Sequence, residues 1–273
     1  MNTKTQNLLC PICGEPLAFG DTEAVCRNNH HFDLAKQGYV NLLIRGGPGG
    51  TRHGDDSLMV KARRAFLEKG YYDPLAELIA ETAKAHAPKG ACLLDIGCGE
   101  GYYTEKLFHA LEEPEILCID ISKEAVKRAS KRGFPKTAAV ASAFELPVKS
   151  RSCDIVLSIF APYSEKEVSR ILKDNGVLIL ALPRERHLFR LKAEIYDEPY
   201  ANPPVKEMLD GFELLAVYPL DYELKLDNPE DIENLFKMTP YYYKTSAADQ
   251  EKALALKTLR TEISFAVMVY RKS

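Results

Sequence analysis

Two groups of residues have side chains and spacings that chemistry could use. The first is Cys10, Cys13, Cys26 and His30, arranged C-x2-C-x12-C-x3-H. Three thiolates and one imidazole have the number and softness of a four-coordinate zinc site, and four protein ligands leave no open position for a substrate, so the metal is expected to be structural. His31 stands next to His30, and spacing alone does not choose between them. The second group is Asp95-Ile96-Gly97-Cys98-Gly99-Glu100-Gly101. Alternating glycines let the backbone turn sharply and let a ligand approach main-chain N–H groups. Nicotinamide-binding folds keep the space before such glycines apolar, so that a pyrophosphate can sit on the following helix N-terminus. Asp95 repels an anion there and favours a cation, such as the sulfonium and ammonium groups of S-adenosylmethionine. Asp120 ends an apolar strand about twenty residues further on, where a carboxylate can bond a ribose diol.

The elements that must position these groups follow from periodicity. Residues 92–96 read as a buried strand, the glycines as its exit, and Thr104, Leu107, Phe108 and Leu111 as a helix stripe. Further strands are expected at 116–121, 137–140, 154–160 and 176–182, with a helix over 123–131 capped by Ser122. A sixth strand at 212–217 continues through 222–226. A helix over 229–236 has Asn228 as cap and Pro229 at its first position, and the alternating stretch 263–270 completes an antiparallel hairpin. This predicts an α/β, Rossmann-like class I methyltransferase fold with a seven-stranded mixed sheet. The segment 141–147, which includes Ser142, should flank an adenine. A helix over 58–69 is capped by Asp56 or Ser57, and Tyr72 after it is either a lid over the donor or an interface aromatic. In the N-terminal piece, short strands at 16–19 and 24–26 would form a hairpin between the ligand pairs.

Composition sets the bounds. The chain has 273 residues, 46% hydrophobic and 27% charged, with a net charge of −3. A nucleic-acid partner must therefore be met by a local patch. No apolar run is long enough for a bilayer, and the first residues lack the apolar core of a signal peptide, so no membrane partner and a cytoplasmic location are expected. The seven cysteines are an odd number, three of them crowded into the first 26 residues and the other four in apolar strand-like settings, which favours a reducing compartment and metal ligation over disulfides. The expected organisation is a zinc-binding unit at 1–45, a Gly-rich flexible linker at 46–56 and a methyltransferase domain at 57–273. The densest basic cluster is Arg184, Arg186, His187, Arg190 and Lys192, just after strand five, where substrates approach such sheets; a solvated helix face is the alternative. Tyr241, Tyr242 and Tyr243 beside Lys244 suit an unstacked base, or a helix end packed on the sheet. Phe160-Ala161-Pro162-Tyr163 stands where enzymes that methylate exocyclic amines carry an N-P-P-Y type motif, which fits a ring-nitrogen target, and Tyr163 is expected to line the base pocket.

The chain resembles the bacterial 23S ribosomal RNA (guanine-N1)-methyltransferases. The resemblance rests on the Cys10–Cys13–Cys26–His30 segment and on the runs at 32–43, 62–67 and 95–104. It also rests on Ala161-Pro162, Arg186-His187-Leu188 and Met238-Thr239-Pro240, all in the same order. It implies a zinc-binding RNA-recognition module ahead of a methyltransferase domain, and a two-fold dimer forming an RNA cleft. It also implies methylation of guanine N1 in a hairpin of 23S rRNA. By residue it implies zinc on Cys10, Cys13, Cys26 and His30, and donor contacts from Tyr72, Gly99, Glu100 and His187, with Asp120 added for the ribose from its own position. Ser142 departs from the acidic residue that many methyltransferases place near the adenine. A small-molecule methyltransferase that uses its zinc ribbon only for structure is the competing expectation.

Overall fold

The structure, a computed structural model, describes residues 7–44, 54–134 and 136–273. In chain order the elements are β1 (Leu17–Phe19), β2 (Glu23–Cys26), β3 (His31–Asp33), β4 (Val40–Asn41), α1 (Ser57–Leu67), α2 (Asp73–His86), β5 (Cys92–Ile96) and α3 (Tyr102–Ala110). They continue with β6 (Glu115–Asp120), α4 (Lys123–Ala129), β7 (Thr137–Val140), β8 (Cys153–Ile159), α5 (Glu165–Ile171), β9 (Leu172–Pro183) and α6 (Phe189–Ile195). The chain ends with β10 (Phe212–Leu226), α7 (Pro229–Lys237), α8 (Tyr241–Lys244), α9 (Ala247–Ala255) and β11 (Leu259–Lys272).

The main sheet runs β10-β11-β9-β8-β5-β6-β7-β4. From β9 to β4 the strands are parallel, and β11 inserts antiparallel between β9 and β10. Seven of the strands are those expected. The eighth is β4, a two-residue strand from the N-terminal segment that pairs with β7 and is extended by the Leu42 N–H donating to the Val140 carbonyl at 2.9 Å. It covers an edge that β7 would otherwise leave open. Strand six continues through 222–226 as expected: β10 is unbroken, with a bulge between Leu214 and Ala216. Pro219 lies inside it without breaking it, because β10 is an edge strand and a proline there loses no ladder bond on its open side. Asp56 caps α1 by accepting from the Met59 N–H at 2.9 Å, Ser122 caps α4, and Asn228 caps α7.

Both faces of the sheet are buried in its parallel part, as a parallel sheet requires. Successive residues of β5 feed opposite faces: Leu93 belongs to the core that holds Phe66, Leu75, Ile79 and Phe265, and Leu94 to the one that holds Leu117, Val156, Leu178 and Met268. The second core also takes in Leu8, Leu17, Val40 and Leu42. The N-terminal β1-β2-β3 sheet is therefore seated on the large one, as expected of a segment too short to bury a core alone. Backbone bonds reinforce the seat: the Leu9 N–H donates to Pro147 O at 2.8 Å and the Lys149 N–H to Asn7 O at 2.9 Å. Residues 45–53, most of the expected linker, lie outside the described residues. Its described end is not free chain, since Ser122 Oγ donates to Asp55 O at 2.7 Å. No helix among the described residues is long and apolar enough to cross a membrane.

Candidate donor cavity and metal cluster

The cysteine-histidine group is assembled by two short turns. Gly14 donates its N–H to Cys10 O at 2.8 Å and Asn29 to Cys26 O at 2.9 Å, each residue in the left-handed region. These turns bring one donor atom each from Cys10, Cys13, Cys26 and His30 to within 4.8 Å of one another. Cys13 and Cys26 sulfurs lie 3.7 Å apart, and His30 Nδ1 lies 3.4 Å from both Cys10 Sγ and Cys26 Sγ. A tetrahedral zinc with its usual bond lengths spaces sulfur and nitrogen ligands by about 3.5–3.8 Å, so this donor set fits that ion. His31 faces the other way, with Nδ1 2.8 Å from Glu23 Oε2 and Nε2 3.2 Å from Asn29 Oδ1. The geometry thus separates the two neighbouring histidines.

The second site is a cavity of about 790 Å³ above the carboxyl ends of β5, β6, β7, β8 and β9. Tyr72, Asp95, Gly97, Gly99, Glu100, Asp120, Ser142 and His187, all singled out in the sequence, line it together. Gly97 must be glycine: its φ is +70°, and a Cβ built there would lie 2.3 Å from Ala161 Cβ. The loop is pinned to the next strand, with Gly97 and Cys98 N–H groups donating to Ile119 O and the Gly99 N–H to Asp120 Oδ2 at 2.9 Å. The other Asp120 oxygen accepts from the Ser122 N–H at 2.7 Å. Asp95 lies beneath the loop and accepts from Thr104 Oγ1 at 2.5 Å; burial pushes its carboxyl up to about 7, with the Thr104 bond pulling the other way.

Glu100 is buried in an ion pair with Arg132, and burial raises its carboxyl despite that cation. Its Oε1 has no hydrogen-bond partner, so a buried acceptor is left over in a residue that lines the cavity. Tyr72 is enclosed by Phe66 and Phe265 at 5.2 Å and lies 6.4 Å from the His187 ring, which makes it both a wall of the cavity and part of the core. Burial, helped by the nearby Lys192 charge, holds His187 down to about 3, so the ring is neutral. Its Nδ1 accepts from the Ser264 N–H at 3.4 Å, which puts the ring proton on Nε2 as a donor. Ser142 Oγ accepts from the Phe144 N–H at 3.2 Å. Of the lining acids, Asp55 is matched by Arg63 and Glu100 by Arg132, while Asp95 and Asp120 have no ion-pair partner among the described residues, so the balance is negative. The site is electronegative, contains a leftover acceptor and is large enough for a nucleoside, so it fits a cationic adenosyl donor.

Some expectations are redirected. Tyr163 is not among the lining residues; it is half-buried against the second core, where burial pushes its phenol up to about 12. Phe160, Ala161 and Pro162 line the cavity in its place. Of the three tyrosines at 241–243, Tyr241 lines the cavity; Tyr242 packs on Phe236 and the Tyr243 hydroxyl donates to Asp56 at 2.6 Å. The basic cluster is largely neutralised. Arg184 pairs with Asp221 at 2.7 Å, Arg186 with Glu262 at 3.2 Å, and Arg190 with Glu223 at 2.8 Å. Lys192 is buried, donating to Tyr200 O and Asn202 Oδ1. Arg63 had no role assigned from sequence. It pairs with Asp55, donates to Met238 O at 3.3 Å, and is the nearest group to the face of Gly99. A cation on the same helix stripe as Met59, Phe66 and Leu67 was the available signal.

Comparison with known proteins agrees with these two sites. Residues 8–44 match the zinc-ribbon family model described as "RlmA, N-terminal", and residues 94–180 match the model "Methyltransferase domain". The chain is 40% identical over 188 residues to the 23S rRNA (guanine(748)-N(1))-methyltransferase of Streptomyces fradiae, covering 67% of this chain and 66% of that protein. It is 32% identical over 265 residues to YxjB of Bacillus subtilis, provisionally named a 23S rRNA (guanine-N(1)-)-methyltransferase, covering 92% of this chain and 91% of that one. In fold, it superposes on the B. subtilis YcgJ crystal structure with a TM-score of 0.50 at 15% identity, over 72% of this chain and 97% of that one. The N-terminal ribbon, the S-adenosylmethionine-type fold and the near full-length match to YxjB together place this chain in the 23S rRNA (guanine-N1)-methyltransferase family.

Proposed function

We propose that this protein methylates N1 of a guanine in a hairpin of 23S ribosomal RNA, in the cytoplasm and as a two-fold dimer. In this reading residues 1–45 form a zinc-stapled RNA-recognition unit, 46–56 the tether and 57–273 the catalytic domain. Zinc sits on Cys10, Cys13, Cys26 and His30, and the cavity takes S-adenosylmethionine. The observation that carries the reading is the electronegative cavity at the strand ends, with glycines on one side and a neutral, proton-donating His187 on the other.

When bound, the donor supplies a methyl group on a positively charged sulfur, open to in-line attack by a nitrogen lone pair. The chain's residues do the rest. Backbone at Gly97 and Gly99 allows close approach. Asp95 and the Glu100 Oε1 acceptor favour the positive end. Arg63 and the His187 Nε2–H are donors for the carboxylate end, and Asp120 and Ser142 serve the ribose and adenine. His187, with its pKa depressed and Nδ1 occupied, acts as a donor and not as the base that removes the guanine N1 proton. The target guanine must leave its stack to reach the cavity. Ribosomal RNA from a strain lacking the enzyme tests the reading. Purified protein should transfer labelled methyl to that RNA and not to RNA from the parent strain. Equal labelling of the two, or none, would overturn it, and label passing only to small molecules would favour the alternative enzyme class.

A further inference from the structure

Phe160 is an aromatic residue held in a conformation that L side chains rarely adopt. Its φ is +56°. Three contacts enforce this. The Phe160 N–H donates to Ala181 O at 3.1 Å, Ser158 Oγ donates to Ala161 O at 2.9 Å, and Ala161 Cβ occupies the space that Gly97 leaves open. The residue nevertheless stays 42% exposed while it lines the cavity. A strained backbone presenting an apolar ring to an open cavity serves stability poorly; strain maintained in this way belongs to functional sites. The ring also cannot retreat. Phe265, fully buried, backs it at 5.1 Å and is itself braced by the His187 ring at 4.4 Å and by Tyr72 at 5.2 Å. Pro162, Pro183 and Tyr241 complete flat apolar walls nearby.

We infer that Phe160 is the stacking platform for the target base: a purine extruded from its RNA lies against the Phe160 ring, with its N1 edge turned to the methyl donor. This rests on the methyl transfer to guanine proposed above. Extrusion exposes both faces of a base, and an aromatic face can take any of them. Phe160 therefore fixes the position and tilt of the base, and the choice of guanine lies with polar groups around it. The residue is a positioning element specific to the RNA side of the reaction, distinct from the residues facing the donor.

The test uses the full-length, zinc-loaded protein with Phe160→Ala, Phe160→Leu, Phe160→Tyr and Phe160→Gly. It combines steady-state kinetics on a 23S rRNA transcript, calorimetry with S-adenosylmethionine, and thermal unfolding. The Ala and Leu variants are expected to lose about 10- to 100-fold in kcat/KM for RNA, while donor affinity moves by less than about threefold. Phe160→Tyr should recover most of the loss. Phe160→Gly should unfold above the Ala variant, because glycine accepts this φ freely, and yet be as poor as the Ala variant on RNA. A Leu variant equal to wild type, or an Ala variant that weakens donor and RNA alike, overturns the inference. So does a Gly variant that regains activity on RNA along with stability. A wild-type protein that transfers no methyl to guanine overturns the underlying activity and this inference together; a competent wild type with an undiminished Ala variant overturns this inference alone.

Discussion

The metal cluster and the donor cavity solve the same problem, holding polar groups in fixed places, by opposite routes. The cluster draws its donors from two turns within one small segment, and its sulfurs and imidazole gather at ligand distances with little core of their own. The cavity draws its walls from α1, α3, the ends of five strands and the segment at 238–241, and large buried side chains hold it in shape. Such a ribbon depends on its ion for folding free energy, whereas the cavity depends on packing. The first should therefore fail when a ligand is lost and the second when a volume is changed. Each failure should leave a different part of the reaction standing.

The largest effect is expected at the ribbon. Replacing a metal-site thiol, Cys26→Ser, should abolish zinc binding measured by elemental analysis and lower methylation of RNA by more than about 100-fold, since structural zinc contributes on the order of 10 kcal/mol to such units. Donor binding should change by less than about threefold. A large loss of donor affinity here would mean that the two regions are not separable.

The next effect is expected at the glycine turn. Gly97→Ala forces a Cβ to within 2.3 Å of Ala161 Cβ at a φ of +70°. The strain and overpacking should cost about 2–4 kcal/mol in stability and weaken donor binding correspondingly. Adding Ala161→Gly should restore part of it, and the double-mutant cycle measures the coupling. Zinc content should not move. Full additivity of the two changes would contradict the packing account.

The pH dependence sharpens the contrast further. Burial holds the Asp95 carboxyl up to about 7 in the free protein. A cationic donor favours the ionised form, so binding releases the proton, and affinity should fall as pH drops through 7, by about tenfold between pH 8 and pH 6. Asp95→Asn should flatten that profile. His187, already deprotonated throughout this range, adds no step of its own. A profile that rises toward low pH would contradict the sign.

The smallest effect is expected at the basic cluster. Arg186→Ala and Arg190→Ala remove arginines already matched by Glu262 and Glu223. They should change KM for RNA by less than about threefold, as expected for solvent-exposed pairs. A tenfold rise in KM would show that these arginines abandon their carboxylates for phosphate.

Much of this was legible in the sequence where information is local. The C-x2-C-x12-C-x3-H spacing marked the ribbon, and alternating glycines after a buried strand marked the donor loop. Strand ends at Asp120 and Ser142 marked two further walls. What was hidden is non-local or too short for a period to show. β4 has two residues and no alternation to read, yet it adds an eighth strand. The carboxylates that neutralise the Arg184–Arg190 cluster come from β10 and β11, up to 76 residues away. Tyr163 occupies the motif position, but the turn at Phe160 rotates Phe160, Ala161 and Pro162 into the cavity and leaves Tyr163 against the core. His30 and His31 differ only by which side of a turn each one faces.

Mass mapping of 23S rRNA after reaction with methyl-labelled S-adenosylmethionine tests the central claim most directly. The account predicts a single 1-methylguanine in a hairpin loop. Label on an exocyclic amine, on another base or nowhere in the RNA would contradict it.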